Sequence, residues 1–220
     1  MCCTSRPTSV ALTGPRPVRV INQQVWDKHY TRDRSRQSYP DENVVRFVKK
    51  FATPSGVALD LGSGSGRHLP LLAEHFARVV ACDFSRESLK PYSGKDSASV
   101  QTALPELPFA DQTFDFILCW GVLHYLPDAL IAPAAMEIQR CLKPGGRVFL
   151  TLRSDSDTHL AGQLAKGDLA QGYAKLFSKT DALAFFITAI GLAQLFVGDL
   201  AIVKSLSFSW LRIENFIQLK

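Results

Sequence analysis

An apolar run that ends in an acid and breaks at once into alternating glycines constrains this chain more than any other stretch. It reads Val57-Ala58-Leu59-Asp60-Leu61-Gly62-Ser63-Gly64-Ser65-Gly66-Arg67. The run predicts a buried strand, and the glycines predict a loop that permits positive φ and lets a ligand lie against bare peptide groups. Leu69, Leu72, Ala73 and Phe76 then repeat at i, i+3, i+4 and i+7, so the loop opens into an amphipathic helix. A second apolar run, Arg78 to Asp83, ends in another acid. This order of strand, loop, helix and acid-terminated strand is the nucleotide-binding half of a doubly wound α/β sheet, with ligands at the carboxyl ends of the strands. Asp83 is placed to accept hydrogen bonds from ribose hydroxyls. The dinucleotide pattern G-x-G-x-x-G needs glycine at position 67, where this chain has Arg67, and that spacing argues against NAD or FAD.

Three later segments narrow the ligand. Leu107-Pro108-Phe109-Ala110-Asp111-Gln112-Thr113-Phe114-Asp115 feeds a buried strand that ends Cys119-Trp120, and Gly121-Val122-Leu123-His124-Tyr125-Leu126-Pro127-Asp128 follows it. Leu142-Lys143-Pro144-Gly145-Gly146 then precedes Arg147-Val148-Phe149-Leu150. In this order and spacing the segments resemble the class I S-adenosylmethionine-dependent methyltransferases, specifically the broad small-molecule group of the type 11/12 kind, over Val44 to Leu152.

The resemblance implies a Rossmann-like, seven-stranded, mostly parallel sheet with an antiparallel edge hairpin, in a single domain. It implies S-adenosylmethionine as cofactor. Asp60, Gly62, Ser63, Gly64, Gly66 and Arg67 would surround the methionine and ribose portion, with Asp60 near the amino group. Asp83 would hold the ribose hydroxyls and Phe84 would pack on adenine. Many relatives carry an acid before the L-P-F segment that meets the adenine amino group; here the turn reads Gln101-Thr102-Ala103-Leu104. Adenine contacts near Ala103 and Leu104 then fall to backbone groups or to Thr102. Trp120 would line the methionine or acceptor cavity.

The implied reaction is an in-line displacement at a sulfonium methyl, for which alignment of the nucleophile supplies most of the rate. A general base helps when the acceptor is a hydroxyl or protonated amine. His124, a few residues past the fourth strand, is the first catalytic candidate and Tyr30 the second; the alternative for His124 is a packing or cofactor-lining role. Trp26 and Tyr30 lie at i and i+4 on one helix face, as a lid contact needs. Trp26, Tyr30, Tyr125, Arg153 and Tyr173 are the candidate acceptor contacts, and His159 follows the fifth strand in the same region. The fourth strand lacks an N-P-P-Y turn and Cys119 has no neighbouring proline, which disfavours base or amide N-methylation and a cytosine-methylating thiolate.

Composition bounds the rest. Apolar residues make up 46% of 220, and one α/β domain of this size buries a sizeable core. Residues 1–20 hold Arg6, Arg16 and Arg19 and no acid, which predicts a flexible basic tail; a short transit peptide is the less favoured alternative. Without those arginines the remaining chain carries a formal +2, so no strong nucleic-acid signal is left. No run approaches the ~20 apolar residues of a membrane span; Ala182 to Val197 is interrupted by Thr188, Gly191 and Gln194. Five cysteines without C-x-x-C spacing indicate a cytoplasmic setting, and no metal-ligand spacing occurs.

The expected organisation is a helical cap over 21–52, a cofactor core over 53–152, and an acceptor-side region over 153–220 with a loop to Lys179, a helix from Asp181 to Phe196 and two edge strands. Within the cap, a short helix is expected at Val25 to Tyr30, and a longer one opened by Pro40 with Val44, Phe47, Val48 and Phe51 on one face. A helix near Ala134 to Leu142 is expected to stop at Lys143-Pro144-Gly145-Gly146. The expected activity is methyl transfer to O, N or S of a small molecule. A protein or RNA methyltransferase, or a noncatalytic binding module, is the alternative. Nothing in the sequence fixes the oligomeric state.

Overall fold

The computed structural model describes residues 18–92, 98–153, 200–202 and 210–215. β1 (Val57–Leu61) pairs in parallel with β2 (Arg78–Asp83) on one side and with β4 (Phe114–Cys119) on the other. β3 (Ala98–Gln101) extends the sheet beyond β2, and β5 (Leu142–Arg153) extends it beyond β4, both in parallel. β7 (Trp210–Asn215) lies antiparallel to β5, and β6 (Leu200–Ile202) antiparallel to β7 at the edge. The resulting order, β3-β2-β1-β4-β5-β7-β6, reverses direction at β1, where a doubly wound sheet opens its ligand crevice.

Helices cover both faces, which is why the central strands are apolar on both sides. α2 (Glu42–Phe51) and α3 (Leu69–His75) bury Val44, Phe47, Val48, Leu69 and Leu72 against Ala58, Phe116, Leu118 and Phe149. On the opposite face α5 (Asp128–Cys141) buries Ile131, Ala134 and Ile138 against Leu59, Ile117, Cys119 and Leu150. The period-two alternation of Phe116, Ile117, Leu118 and Cys119 between the two clusters is the sheet's pleat made visible.

Four boundaries differ from the sequence expectation. α1 runs from Val18 to Tyr30, so the first helix begins inside the stretch read as a tail and well ahead of Val25. α2 is capped by Asp41, whose side chain accepts the Asn43 amide at 3.0 Å, so Pro40 stands just outside the helix rather than opening it. α5 begins at Asp128, because Pro133 is accommodated inside it.

Lys143 to Gly146 do not separate helix from strand by a stop. Phe114 pairs with Leu142 and Phe116 with Arg147, so these four residues bulge out of β5 while pairing resumes beyond them, with Gly145 at φ +76°. The short α4 (Arg86–Leu89) follows β2, with Ser85 as its N-cap. The expected loop to Lys179 and the helix at Asp181 to Phe196 lie outside the described residues.

Candidate cofactor site

The crevice at the end of β1 is shaped by backbone. Gly62 and Ser63 both donate their amides to the Cys82 carbonyl, at 2.8 and 2.9 Å, which folds the loop across the end of β2. Gly62, Gly64 and Gly66 have φ of +73°, +53° and +72°, a region closed to most side chains. A Cβ on Gly64 would lie 2.5 Å from the Tyr30 hydroxyl of α1, and one on Gly62 would collide with Val122. The second glycine of the loop thus faces the first helix rather than solvent.

Asp83 closes the loop from below. One carboxylate oxygen accepts the Gly64 amide at 2.9 Å and the other the Ser85 amide at 2.8 Å. Burial pushes its carboxyl up to about 6 even though these amides favour the charged form. Asp60, 1% exposed, is pushed up to about 7 by burial and then by the Asp83 charge. Among the described residues, Asp60 Oδ2, Ser63 Oγ and Arg67 Nη2 are buried with no hydrogen-bond partner. Buried polar atoms in folded proteins are nearly always partnered by protein, water or ligand, so these three form a polar set open to a bound molecule. Burial lowers the Arg67 guanidinium from its usual range, and its Cζ lies 4.0 Å from the centre of the Trp120 ring.

A cavity of about 170 Å³ continues from the loop. Asp83 and Phe84 form one side, Thr102, Ala103 and Leu104 the next, and Gly121, Val122, Leu126 and Leu130 the floor. α1 forms the roof: Trp26 and Tyr30 stack with ring centres 5.9 Å apart, and Trp26 meets Tyr125 edge-on at 4.9 Å.

Residues 59–150 match the family described as "Methyltransferase domain", a span running from β1 through β5. The chain is 37% identical over 108 residues to a malonyl-[acyl-carrier protein] O-methyltransferase of Herminiimonas arsenicoxydans, covering 48% of this chain and 40% of that protein. It is 35% identical over 130 residues to the cypemycin N-terminal methyltransferase of a Streptomyces species, covering 56 and 53%. The chain therefore spans about half the length, or less, of these curated relatives. Among solved structures, the 1,6-didemethyltoxoflavin-N1-methyltransferase of Burkholderia thailandensis superposes with a TM-score of 0.59 at 22% identity, covering 83% of this chain and 82% of that one. That likeness carries the fold. Residues 59–150 form a methyltransferase domain of the class I, S-adenosylmethionine-dependent kind.

The residues present fit the family's cofactor. An unsatisfied carboxylate oxygen, a hydroxyl and a guanidinium nitrogen around the loop complement an ammonium and a carboxylate, the two charged groups of a methionine end. Asp83, which also has hydrogen-bond partners in Phe84 and Ser88, faces the cavity together with the apolar Phe84 and Leu104. Thr102 is not available as the adenine donor, since its hydroxyl donates to the Glu106 carbonyl at 2.7 Å. The cavity wall from Thr102 to Leu104 carries no acid.

Of the residues singled out in the sequence, Trp26, Tyr30, Gly62, Asp83, Phe84, Ala103, Leu104 and Tyr125 line the cavity. Asp60, Ser63, Gly64, Gly66, Arg67 and Trp120 gather around the loop next to it. His124 does not line the cavity. It is fully buried, with its ring centre 4.3 Å from that of Tyr125. Residues 123–125 form a 3-10 turn, in which successive side chains diverge by about a third of a turn, so Tyr125 faces the cavity and His124 does not. Arg153 is the last residue of β5, opposite Trp210, and Tyr173 and His159 lie outside the described residues.

Two segments that carried the resemblance turn out to be fasteners. Arg140 of α5 donates to the carbonyls of Leu107 and Phe109 and to Asp111, while Glu137 accepts the Leu107 amide at 3.0 Å. Asp115 accepts the Val57 amide and the Lys143 ammonium, both at 2.8 Å, tying the start of β1 to the bulge of β5. His68, which precedes α3, was not singled out in the sequence. It accepts the Asp41 amide at 3.4 Å, and burial followed by the nearby Arg67 charge lowers it to about 3, so it stays neutral. Among the described residues no helix is long and apolar enough to cross a membrane, and no group of three potential metal ligands occurs.

Proposed function

We propose that this chain transfers the methyl group of S-adenosylmethionine to an oxygen, nitrogen or sulfur atom of a small-molecule acceptor. The observation that carries this reading is the set of buried, unpartnered polar atoms on Asp60, Ser63 and Arg67 beside a largely apolar, aromatic-roofed cavity. When bound, the cofactor supplies an electrophilic methyl group on a sulfonium, and the acceptor's lone pair displaces a neutral thioether.

The chain's own residues bind, orient and exclude water. Asp60 accepts the ammonium of the methionine end, and Ser63 and Arg67 donate to its carboxylate. Asp83 accepts the ribose hydroxyls, held in place by the Gly64 and Ser85 amides. Phe84 and Leu104 flank the purine. Trp26, Tyr30 and Tyr125 shield the far side, and a dry site strengthens each of these charged contacts. Burial, then the Asp83 charge, holds the Tyr30 hydroxyl above the ordinary tyrosine range, so Tyr30 serves as a neutral donor and not as a base. With His124 off the cavity wall, alignment rather than proton abstraction is the main contribution of the described residues.

A small acceptor is favoured because, among the described residues, the cavity wall is largely apolar and aromatic and includes no lysine or arginine. The Burkholderia structure, of the same fold, holds 1,6-didemethyltoxoflavin together with S-adenosylhomocysteine. The test is to incubate the chain with S-adenosylmethionine labelled on the methyl group and with small-metabolite, protein and RNA fractions of a cell extract. Label is expected in the small-metabolite fraction; label confined to protein or RNA overturns the acceptor class.

A further inference from the structure

Trp26 and Tyr30 form the roof, and the residue next to Trp26 is what holds the roof down. Asp27 Oδ1 accepts the Ser85 hydroxyl at 2.6 Å and the Glu87 amide at 3.4 Å, across 58 and 60 residues of chain. Ser85 is fully buried and donates its own amide to Asp83 Oδ1 at 2.8 Å. The other Asp83 oxygen accepts the Gly64 amide, and Gly64 is the residue against which the Tyr30 hydroxyl rests. A closed circuit results: α1 to Ser85, Ser85 to Asp83, Asp83 to the glycine loop, and the loop back to α1.

We propose that Asp27 is a positioning residue whose carboxylate fastens α1 to the ribose-side loop through Ser85, so that Trp26 and Tyr30 are set over the cavity by the same acid that receives the cofactor. The inference rests on the reading of the cavity as an S-adenosylmethionine site. Asp27 itself is not among the residues that line the cavity. It fixes the fraction of time α1 is docked, and a ligand that needs the docked roof binds more weakly in proportion as that fraction falls. The same linkage makes ligand binding hold the roof closed.

Hydrogen exchange of the full chain, followed by mass spectrometry over residues 18–30, tests this without reference to turnover. In the ligand-free protein, Asp27→Ala is expected to accelerate exchange over 18–30 by about tenfold, the scale of one net hydrogen bond lost, with β1 and β4 at wild-type rates. Asp27→Asn keeps an acceptor oxygen for Ser85 and Glu87 and is expected to stay within about threefold of wild type. Wild-type rates over 18–30 in Asp27→Ala overturn the proposal, as does equal acceleration by Asn and Ala, which would assign the effect to charge alone. Should Asp27→Ala loosen the whole sheet, Ser85→Ala decides the matter: acceleration confined to 18–30 supports the fastening, and any other pattern overturns it. Added S-adenosylhomocysteine separates the two readings. Failure to protect any part of the wild-type chain contradicts the cofactor site and leaves the ligand-free comparison standing.

Discussion

Asp83 and Gly64 are 19 residues apart and joined at 2.9 Å, the carboxylate of the second strand accepting the amide of the loop that follows the first. The acid that would meet the ribose therefore also fixes the shape of the glycine loop. Asp83→Ala removes both acceptors at once. S-adenosylhomocysteine binding is expected to weaken by ~1.5–3 kcal/mol, the scale of a charge-assisted hydrogen bond lost. Calorimetry reads this directly, and unchanged affinity contradicts the ribose assignment.

Asp60 and Asp83 set a pH dependence whose sign follows from their raised values of about 7 and about 6, against 3.8 for an ordinary aspartate. The folded, ligand-free chain binds more protons than the unfolded chain between roughly pH 4 and 7, so this contribution to stability is present below pH ~4 and lost as pH rises through the folded values. Cofactor binding runs the other way, since an ammonium needs the ionised Asp60. Affinity is expected to rise by up to about tenfold per pH unit below pH ~7 and to level off above it. Titrations of S-adenosylhomocysteine across that range check the sign, and buffers of different ionisation heat count the protons released.

Tyr30 and Gly64 form a steric pair. Gly64→Ala places a methyl group 2.5 Å from the Tyr30 hydroxyl at φ +53°, where the left-handed conformation alone costs about 1–2 kcal/mol. Tyr30→Phe removes the colliding oxygen, and the next atom, Cζ, lies at 3.2 Å. The double variant is expected to be more stable than the sum of the two single effects, by roughly 0.5–3 kcal/mol of coupling. Strict additivity in denaturant unfolding would place the Tyr30 hydroxyl elsewhere.

Arg140→Met probes the fastener under the L-P-F segment. The side chain is about one-third exposed, which limits its value, but it satisfies two backbone carbonyls as well as Glu137 and Asp111. A loss of about 1–3 kcal/mol in unfolding free energy is expected, with S-adenosylhomocysteine affinity within about twofold of wild type. A large loss of affinity at unchanged stability would move Arg140 into the binding site.

What was legible in the chain follows from sequence distance. The glycine loop and the acids at Asp60 and Asp83 are local signals, because a strand, a turn and a helix dictate them within thirty residues. Arg140 and Glu137 gave no such signal, since their partners at Leu107 to Asp111 lie about thirty residues away and depend on how α5 lands on the sheet. Asp27 stood beside two recognised aromatics, yet its hydrogen bond to Ser85 forms only after the first helix docks. His124 is the converse case: it is one residue from Tyr125, and the tight turn sends the two side chains in different directions. Lys143 to Gly146 look like punctuation because they interrupt an apolar pattern, and β5 simply carries them as a bulge.

The most direct measurement is calorimetric titration of the full chain with S-adenosylhomocysteine, alongside Asp60→Ala and NADH as controls. Saturable one-to-one binding at roughly micromolar Kd is expected for the wild type, with at least about a tenfold loss in Asp60→Ala and no heat from NADH. Retention of NADH without binding of S-adenosylhomocysteine would contradict the assignment of the Gly62 to Gly66 loop to a methyl donor.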